Sequence, residues 1–281
     1  MKFFFKNQEL LTNQNNALSI KERGFMFGDG VFESCKIYNG KIYNFEAHLS
    51  RLKKGLRALK INFSILNLEK QCLYLIDKNQ IAEGILRISI SRGQGSIGYL
   101  PIDNIEPLLI IETNEAKIMQ EQKIELSISK IKTVPNSSLP VGCKTMQGVP
   151  YILNKIKAKE LGLFDLIMLS QNNFIAETSS ANIFWIKKNI IFTPAKECDI
   201  ILGTMRGKII KLISKTNDFE INQICAKTSA LFSAEEVFLA NANGVITVDN
   251  IALNNKKINF SCQKTLKIKE LISQDIVKSC S

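Results

Sequence analysis

The feature that most constrains the fold of this chain is a set of segments in which apolar and polar side chains alternate. The alternation runs over residues 31–38 and 123–131, and successive side chains point to opposite faces only in a β-strand. Residues 46–59, in contrast, carry leucines at helical spacing on one face. A chain that mixes both periods in this order is predicted to be an α+β protein.

The patterns also predict two domains of unequal size. Residues 1–114 are predicted to form a small N-terminal domain, residues 115–122 an interdomain linker, and residues 123–281 a larger C-terminal domain. A chain of 281 residues is long enough for two such cores. The predicted helices comprise residues 46–59, 66–82, 150–161 and 205–214. The main predicted strands comprise residues 31–38, 41–45, 85–91, 107–112, 123–131, 166–170, 174–176, 182–186, 190–193 and 236–241, and residues 24–30 are predicted to form a glycine-rich loop.

The charge balance is basic. The chain carries 37 lysine and arginine residues against 26 acidic residues, a formal net charge of +11. Such a balance can indicate nucleic acid, a membrane surface or an acidic metabolite as a partner. The lysines are spread along the whole chain without a block of five or six like charges, however, so a solvated surface is the simpler interpretation. We expect no nucleic-acid binding.

Membrane and metal-binding classes are also disfavoured. No apolar run reaches the roughly 20 residues of a membrane span, and the apolar stretch near Met1 is shorter than a signal peptide requires. The seven cysteines lack C-x-x-C spacing, and His48 is the single histidine, so neither a metal site nor a Ser-His-Asp triad is expected. The sequence therefore predicts a cytoplasmic protein with reduced thiols and no metal.

Lys144 is the first candidate for chemistry. It lies in the segment L-P-V-G-C-K-T-M, directly before a predicted helix. Its small and apolar neighbours suit a partly buried lysine, and burial favours the neutral amine that attacks a carbonyl carbon. An ordinary surface lysine at the end of a loop fits the same residues, so Lys144 alone does not decide between the two.

Glu177 is the second candidate, because it ends a predicted apolar strand and is followed by small polar residues. A carboxylate in this position could hold the protonated nitrogen of a pyridine ring, which keeps such a ring an electron sink. A solvated glutamate at the end of a strand is the simpler interpretation for Glu177 taken by itself.

Two further segments are candidates for binding a phosphate. Gly203 precedes a predicted helix, and the first N–H groups of a helix lack internal partners and favour an anion. The amides of Thr204 and Met205 are therefore candidate ligands, although an ordinary helix start fits equally well. Arg51 lies between leucines of the helix predicted at 46–59, where a guanidinium could bind a phosphate through two parallel hydrogen bonds.

The order and spacing of these segments resemble the class IV aminotransferase family, which is fold type IV of the pyridoxal 5′-phosphate (PLP) enzymes, over nearly the whole chain. The matching segments are E-R-G-F-M-F-G-D-G-V-F-E at 22–33, H-L-S-R-L at 48–52, K-T-M-Q at 144–147, E-x-x-x-x-N at 177–182, F-T-P at 192–194 and G-T-M-R at 203–206. The resemblance implies a two-domain fold like that of D-amino-acid aminotransferase. It also implies a homodimer that acts on a small amino substrate and binds neither nucleic acid nor a membrane.

The resemblance further implies roles for individual residues. Lys144 would form the Schiff base with PLP and act as the general base, and Glu177 would pair with the pyridine nitrogen. The other implied cofactor contacts are Arg51, Gly203, Thr204, Met205 and Asn241. The implied substrate-binding residues are Phe27, Arg92, Ile97 and Tyr99.

Within the family, the segment S-R-G-Q-G-S-I-G-Y at 91–99 resembles aminodeoxychorismate lyase, as do A-N-I-F-W at 181–185 and G-T-M-R. This likeness implies release of pyruvate from 4-amino-4-deoxychorismate and formation of 4-aminobenzoate for folate synthesis. Branched-chain aminotransferases usually carry a tyrosine five residues after the Schiff-base lysine, where this chain has Val149. D-amino-acid aminotransferases carry an R-x-H element that this chain lacks.

Ile97 departs from the lyase pattern, which usually has an arginine at that position. The lyase substrate carries two carboxylates, and losing one charge-assisted contact should weaken binding by about 1.5–3 kcal/mol unless Arg92 or a lysine supplies the cation. The sequence leaves two alternatives open. One is an aminotransferase for D-amino acids or branched-chain amino acids that uses 2-oxoglutarate, and the other is a basic, non-catalytic binding module.

Overall fold

A computed structural model of the chain describes residues 2–12, 18–116, 123–139, 142–253 and 256–281. The chain divides into two compact units. The first unit consists of Met1–Ile118, Cys143–Gln147 and Ile276–Ser281, and the second consists of Met119–Gly142 and Gly148–Asp275. The domain boundaries at 114 and 123 remain a prediction, because residues 117–122 of the predicted linker lie outside the described residues.

The first unit is built on an antiparallel sheet. Its strands are β1 (Phe3–Lys6), β2 (Glu9–Thr12), β3 (Gly30–Tyr38), β4 (Lys41–Ile42), β5 (Gly84–Ser91) and β6 (Leu108–Glu115), in the order β2-β1-β6-β5-β3-β4. Its helices are α1 (Arg23–Phe27), α2 (Phe45–Ala58) and α3 (Leu68–Lys78). The core forms where alternate residues of β5, such as Leu86 and Ile88, join apolar residues of both longer helices, such as Leu52 and Leu75.

The second unit contains a larger, mixed sheet. Its strands are β7 (Glu125–Lys132), β8 (Asp165–Leu169), β9 (Ile175–Glu177), β10 (Asn182–Lys187), β11 (Ile190–Pro194), β12 (Glu220–Ile224), β13 (Glu236–Asn241), β14 (Gly244–Thr247), β15 (Asn250–Leu253) and β16 (Lys256–Asn259). The order is β12-β11-β10-β9-β8-β7-β15-β16, and β13 pairs with β10 and β14. The remaining α-helices of the described residues are α4 (Val149–Glu160), α5 (Thr204–Ile213) and α6 (Gln263–Cys280).

The sheets and helices confirm the predicted α+β class. All four predicted helices are present, with ends within about four residues of the prediction. The strand predicted at 41–45 is shorter, because Asn44 adopts a left-handed conformation with φ 55° and helix α2 begins at Phe45. Part of the loop predicted at 24–30 is the one-turn helix α1, which the Glu22 side chain caps through the Gly24 and Phe25 amides.

The next features concern membrane-spanning helices, metal-ligating clusters and disulfide bonds in the described part of the chain. None of its helices combines the length and the apolar character that crossing a membrane requires. Within the same residues, no cluster of three or more histidine, cysteine, aspartate or glutamate side chains could hold a metal ion. No disulfide bond joins any of the seven cysteines, all of which lie in the described residues.

Candidate active site

Strand β3 fixes the backbone of Lys144 in the first unit. The Phe32 N–H donates to the Lys144 carbonyl at 3.0 Å, and the Met146 N–H donates to the Gly30 carbonyl at 2.9 Å. A side chain at Gly30 would place its Cβ 2.7 Å from both the Met146 sulfur and the Ile90 carbonyl, so only glycine lets the two segments approach this closely. The segment that carries Lys144 is therefore held to strand β3 by an isolated antiparallel bridge between Val31 and Thr145.

The Lys144 side chain is half-buried and lies against an aromatic ring. Its Nζ is 4.8 Å from the centroid of the Phe32 ring, and the Arg87 guanidinium carbon is 4.0 Å from the same centroid. Contacts of this kind orient a cation over the face of the ring. The amine consequently has a defined position on one face of strand β3 while part of the side chain stays accessible.

Arg51 belongs to a buried charged network in the same unit. Its Nε and Nη2 donate to the two carboxylate oxygens of Glu33, each at 2.7 Å, and His48 Nδ1 lies 2.7 Å from Glu33 Oε2. Glu33 is 1% exposed. Burial opposes its ionisation, but the hydrogen bonds and charges of Arg51 and His48 outweigh this effect, so the pKa of the Glu33 carboxyl is below its usual value.

Arg92 belongs to a second network. Its Nε and Nη2 donate to the Asp29 carboxylate at 2.8 and 3.0 Å, and its Nη1 and Nη2 donate to the carbonyls of Lys60 and Leu59. The guanidinium thus ties the end of strand β5 to the segment that follows helix α2. This set of contacts gives Arg92 a structural task, and its predicted contact with substrate stays a prediction.

Arg23 was not a candidate in the sequence, yet it organises the segment that resembles the lyase. It is 3% exposed, and its Nε donates to Asp29 at 2.9 Å. Its Nη1 and Nη2 donate to the carbonyls of Gly98 and Tyr99 at 2.9 and 2.8 Å. Burial opposes ionisation of Asp29, but hydrogen bonds from Arg92 and Arg23 hold the pKa of Asp29 below its usual value.

The other three predicted substrate residues lie on or beside this segment. The rings of Phe27 and Tyr99 are 5.4 Å apart and tilted by 50°. Tyr99 and Ile97 are 87% and 77% exposed. Arg23 therefore holds the backbone of a loop whose side chains project outwards.

Glu177 ends strand β9 in the second unit and is 3% exposed. Tyr151 donates its hydroxyl to Glu177 Oε1 at 2.9 Å, and Asn182 donates its amide to Oε2 at 3.1 Å. The Ile201 N–H lies 3.1 Å from both oxygens. Donors from helix α4, strand β10 and the segment before helix α5 therefore hold this buried carboxylate in place.

Asn182 links Glu177 to the predicted phosphate site. It donates to the Ile201 carbonyl at 2.8 Å as well as to Glu177, and a Cβ at Gly203 would lie 2.1 Å from its side-chain oxygen. Gly203 is the N-cap residue of helix α5, and it has no side chain that could accept a hydrogen bond from the amides of the first turn. The first turn of this helix, which begins with Thr204 and Met205, has the amide pattern that suits an anion.

The arginine at the start of α5 is buried. Arg206 Nη2 donates at 2.8 Å to the Pro194 carbonyl and to the Gln223 side chain, which ties the helix to strands β11 and β12. Burial lowers the pKa of Arg206, and the nearby Glu177 charge opposes this effect. Asn241 ends strand β13, where its side-chain oxygen accepts from the Asn243 N–H at 2.9 Å in a tight turn. Its predicted phosphate contact stays a prediction.

The predicted site residues fall into two groups. The first unit holds Phe27, Arg51, Arg92, Ile97, Tyr99 and Lys144, and the second unit holds Glu177, Gly203, Thr204, Met205 and Asn241. Sequence reasoning missed the residues that organise each group, namely Arg23, Glu33, Asp29, Asn182 and Tyr151. Of these, Asn182 and the three N-terminal residues lie inside segments that were singled out, but Tyr151 carried no signal of its own.

The chain is similar to known proteins over most of its length. The model of the family "Amino-transferase class IV" matches residues 30–251. A putative branched-chain-amino-acid aminotransferase of Methanocaldococcus jannaschii is 25% identical over 277 residues, 96% of this chain and 94% of that protein. A D-alanine aminotransferase of Bacillus licheniformis is 28% identical over 254 residues, 89% and 88% respectively. An aminodeoxychorismate lyase of Vibrio harveyi is 27% identical over 248 residues, 86% and 90% respectively.

Solved structures show the same fold. The 4-amino-4-deoxychorismate lyase of Pseudomonas aeruginosa superposes with a TM-score of 0.85 at 21% identity, over 97% of this chain and 99% of that one. The branched-chain amino acid aminotransferase of Escherichia coli superposes with a TM-score of 0.90 at 21% identity, over 98% and 94%. A further branched-chain amino acid aminotransferase, solved with pyridoxamine 5′-phosphate, superposes with a TM-score of 0.90 at 19% identity, over 99% and 95%. At these identities the likeness establishes the architecture and confirms the predicted fold.

Proposed function

The chain belongs to the class IV aminotransferase family, and on this premise we propose that it is a 4-amino-4-deoxychorismate lyase, which forms 4-aminobenzoate and pyruvate. The family uses PLP as its cofactor, and solved relatives of the same fold contain its pyridoxamine form or an adduct of it. The cofactor predicted from the sequence is therefore confirmed. The lyase assignment is the finer proposal.

The chemistry of the site residues suits PLP. Lys144 offers an amine of defined position, Glu177 offers a buried acceptor, and the first turn of helix α5 after Gly203 offers backbone amides. These groups match the aldehyde, the ring nitrogen and the phosphate of PLP respectively. We propose that Thr204, Met205, Arg51 and Asn241 complete the phosphate contacts.

Bound PLP supplies an aldehyde that takes up amino groups and a protonated ring that accepts electrons when a bond to the amino-bearing carbon breaks. Lys144 Nζ would hold the aldehyde end of PLP and would also be the base that removes the proton from the substrate carbon next to the amino nitrogen. Glu177 would hold a proton on the pyridine nitrogen and thereby stabilise the negative charge that develops during this transfer.

The observation that carries the lyase proposal is the structure of residues 91–99. This segment resembles the lyase pattern except at Ile97, and the buried Arg23 binds the backbone carbonyls of Gly98 and Tyr99. Binding through carbonyls fixes the loop and leaves the side chains to face outwards, as the exposure of Tyr99 reflects. A loop fixed in this way is a ready surface for recognising a rigid, ring-shaped substrate.

An aminotransferase is the second candidate, because Ile97 replaces the arginine of the lyase pattern. The cation that could substitute for it, Arg92, is held by Asp29 and two carbonyls. A substrate with one carboxylate would not need the missing contact. The relatives named branched-chain and D-alanine aminotransferases support this alternative.

The two candidates are separated by the products they form. The purified holoenzyme is incubated with synthetic 4-amino-4-deoxychorismate, and 4-aminobenzoate and pyruvate are quantified. In parallel, the enzyme is incubated with 2-oxoglutarate and either D-alanine or L-valine, and glutamate is quantified. We expect equimolar 4-aminobenzoate and pyruvate, and turnover at least about tenfold above transamination.

Lys144→Ala is the control for both reactions. Loss of the base should lower either turnover by about 10²–10⁴-fold, and borohydride reduction should attach PLP to the peptide that contains residue 144 in the wild type only. Fast glutamate formation without 4-aminobenzoate would refute the lyase proposal and leave the family assignment intact.

Three finer points belong to the same proposal: a homodimer, a cytoplasmic location and a role in folate synthesis. Seven cysteines without a disulfide bond among them suit a reducing compartment. Light scattering of the holoenzyme at micromolar concentration tests the dimer directly, because one chain has a mass of 31.6 kDa.

A further inference from the structure

Tyr151 is placed at Glu177 by the first turn of helix α4. The helix begins at Val149, with a proline in its first turn. One turn later the buried Asn154 donates to the Leu166 carbonyl at 2.9 Å, which anchors the helix to strand β8. The Tyr151 hydroxyl therefore meets Glu177 Oε1 at 2.9 Å from a rigid element.

The Tyr151 hydroxyl can act only as a donor to this carboxylate. Burial raises the pKa of Tyr151 well above its usual value, and the charge of Glu177 and the hydrogen bond to it raise it further. The phenol consequently keeps its proton throughout the working pH range. An ionised carboxylate, in turn, only accepts hydrogen bonds.

We propose that Tyr151 is a positioning residue that keeps Glu177 ionised and thereby keeps the proton on the pyridine nitrogen of bound PLP. This inference rests on the proposed pairing of Glu177 with that nitrogen. The Glu177 carboxylate and the pyridine nitrogen share one proton, and the stronger base of the two holds it. A donor to the ionised carboxylate stabilises its charge and makes it the weaker base.

Removing the Tyr151 hydroxyl tests how the proton is divided between Glu177 and the pyridine nitrogen with the least disturbance of other contacts. Asn182 also binds the Ile201 carbonyl and abuts Gly203, and the third donor is the Ile201 backbone. Removing either of those would disturb the segment that leads into helix α5. Tyr151→Phe removes one hydroxyl and retains the ring.

The test uses holoenzyme reconstituted with PLP that carries ¹⁵N at the ring nitrogen. In Tyr151→Phe we expect the ¹⁵N chemical shift to move towards that of unprotonated pyridine. We also expect kcat to fall about tenfold, which corresponds to roughly 1.4 kcal/mol, while KM changes by less than about twofold. Tyr74→Phe, at an exposed tyrosine of helix α3, is the matched control and should change neither quantity.

Two more variants separate this inference from the proposed function. Glu177→Gln should shift the ¹⁵N signal at least as far, and adding Tyr151→Phe to it should cause no further change, because the introduced amide has no charge to stabilise. If Glu177→Gln moves the signal and Tyr151→Phe does not, the role of Tyr151 is wrong and the Glu177 assignment stands. If Glu177→Gln leaves the signal unchanged, the Glu177 assignment itself fails and the inference fails with it. Comparable thermal midpoints for all variants ensure that the same fold is being measured.

Discussion

Glu33 and Glu177 are both buried carboxylates that accept hydrogen bonds, but their hydrogen-bond donors differ. In the first unit, Glu33 accepts hydrogen bonds from the charged Arg51 and lies against His48. In the second unit, the donors bound to Glu177 include a phenol, an amide side chain and a backbone N–H. In the first arrangement a guanidinium binds the carboxylate directly, whereas in the second neutral donors orient a carboxylate whose nearby cation, Arg206, donates to the Pro194 carbonyl and the Gln223 side chain.

This difference assigns the two carboxylates different tasks. A buried carboxylate with its own arginine is a structural link, because removing one partner leaves a charge uncompensated. A carboxylate that accepts hydrogen bonds from neutral donors retains more of its negative potential than one bound directly by an arginine, and binding a pyridinium requires that potential. The comparison therefore predicts that changes at Glu33 affect stability and that changes at Glu177 affect chemistry.

The largest expected effect is the loss of stability in Glu33→Gln. The substitution leaves the guanidinium of Arg51 buried without its counter-charge, so the free energy of unfolding should fall by about 3–5 kcal/mol. In Glu177→Gln the hydrogen-bonding neighbours are neutral, and the loss should be about 1 kcal/mol. Urea unfolding of both variants without PLP measures the two effects, because bound cofactor would add its own stabilisation. Equal losses would remove the basis of the comparison.

An effect of intermediate size on stability is expected at Gly203, which packs tightly against Asn182, one of the donors to Glu177. An alanine Cβ would lie 2.1 Å from Asn182 Oδ1, so Asn182 must move and weaken its bonds to Glu177 and Ile201. We expect Gly203→Ala to lower the unfolding free energy by about 1–3 kcal/mol and to weaken PLP binding, measured by fluorescence titration.

Gly207→Ala is the matched control in the same helix. Nothing lies within 4 Å of a Cβ at Gly207, so alanine should stabilise helix α5 by about 0.5–1 kcal/mol. A Gly203→Ala variant that binds PLP like the wild type would show that the Asn182 contact tolerates movement, and the two glycines would then differ only in helix propensity.

The sequence predicted those helices, strands and site residues whose pattern lies within one short segment of the chain. Leucine spacing located helix α2, alternation located strands β3 and β7, and short motifs singled out Glu177 and Gly203 before any contact was known. Helix α6 was missed, although its buried Ile268, Ile272 and Ile276 repeat every four residues and a count of that period would have found it.

Other features could not be predicted because their partners are distant in the chain. Arg23 binds carbonyls 75 and 76 residues away, and a backbone carbonyl carries no side-chain signature. Tyr151 reaches Glu177 across 26 residues through the packing of helix α4. A motif can name the residue that meets a ligand, but the residues that orient it are set by tertiary packing.

The smallest expected effect is the pH dependence of the charged network. The pKa of Glu33 is lowered in the folded protein, so its stabilising contribution is complete above the ordinary value of 4.5 and is lost as the pH falls through the lower folded-state value. Between pH 5 and pH 3 the wild type should therefore lose on the order of 1 kcal/mol more than Glu33→Gln, measured by urea midpoints. Glu160→Gln, at an exposed position, is the control and should follow the wild type. Parallel curves for the wild type and Glu33→Gln would mean that the charge of Glu33 is not what links strand β3 to helix α2, and the contrast with Glu177 would then rest on shape alone.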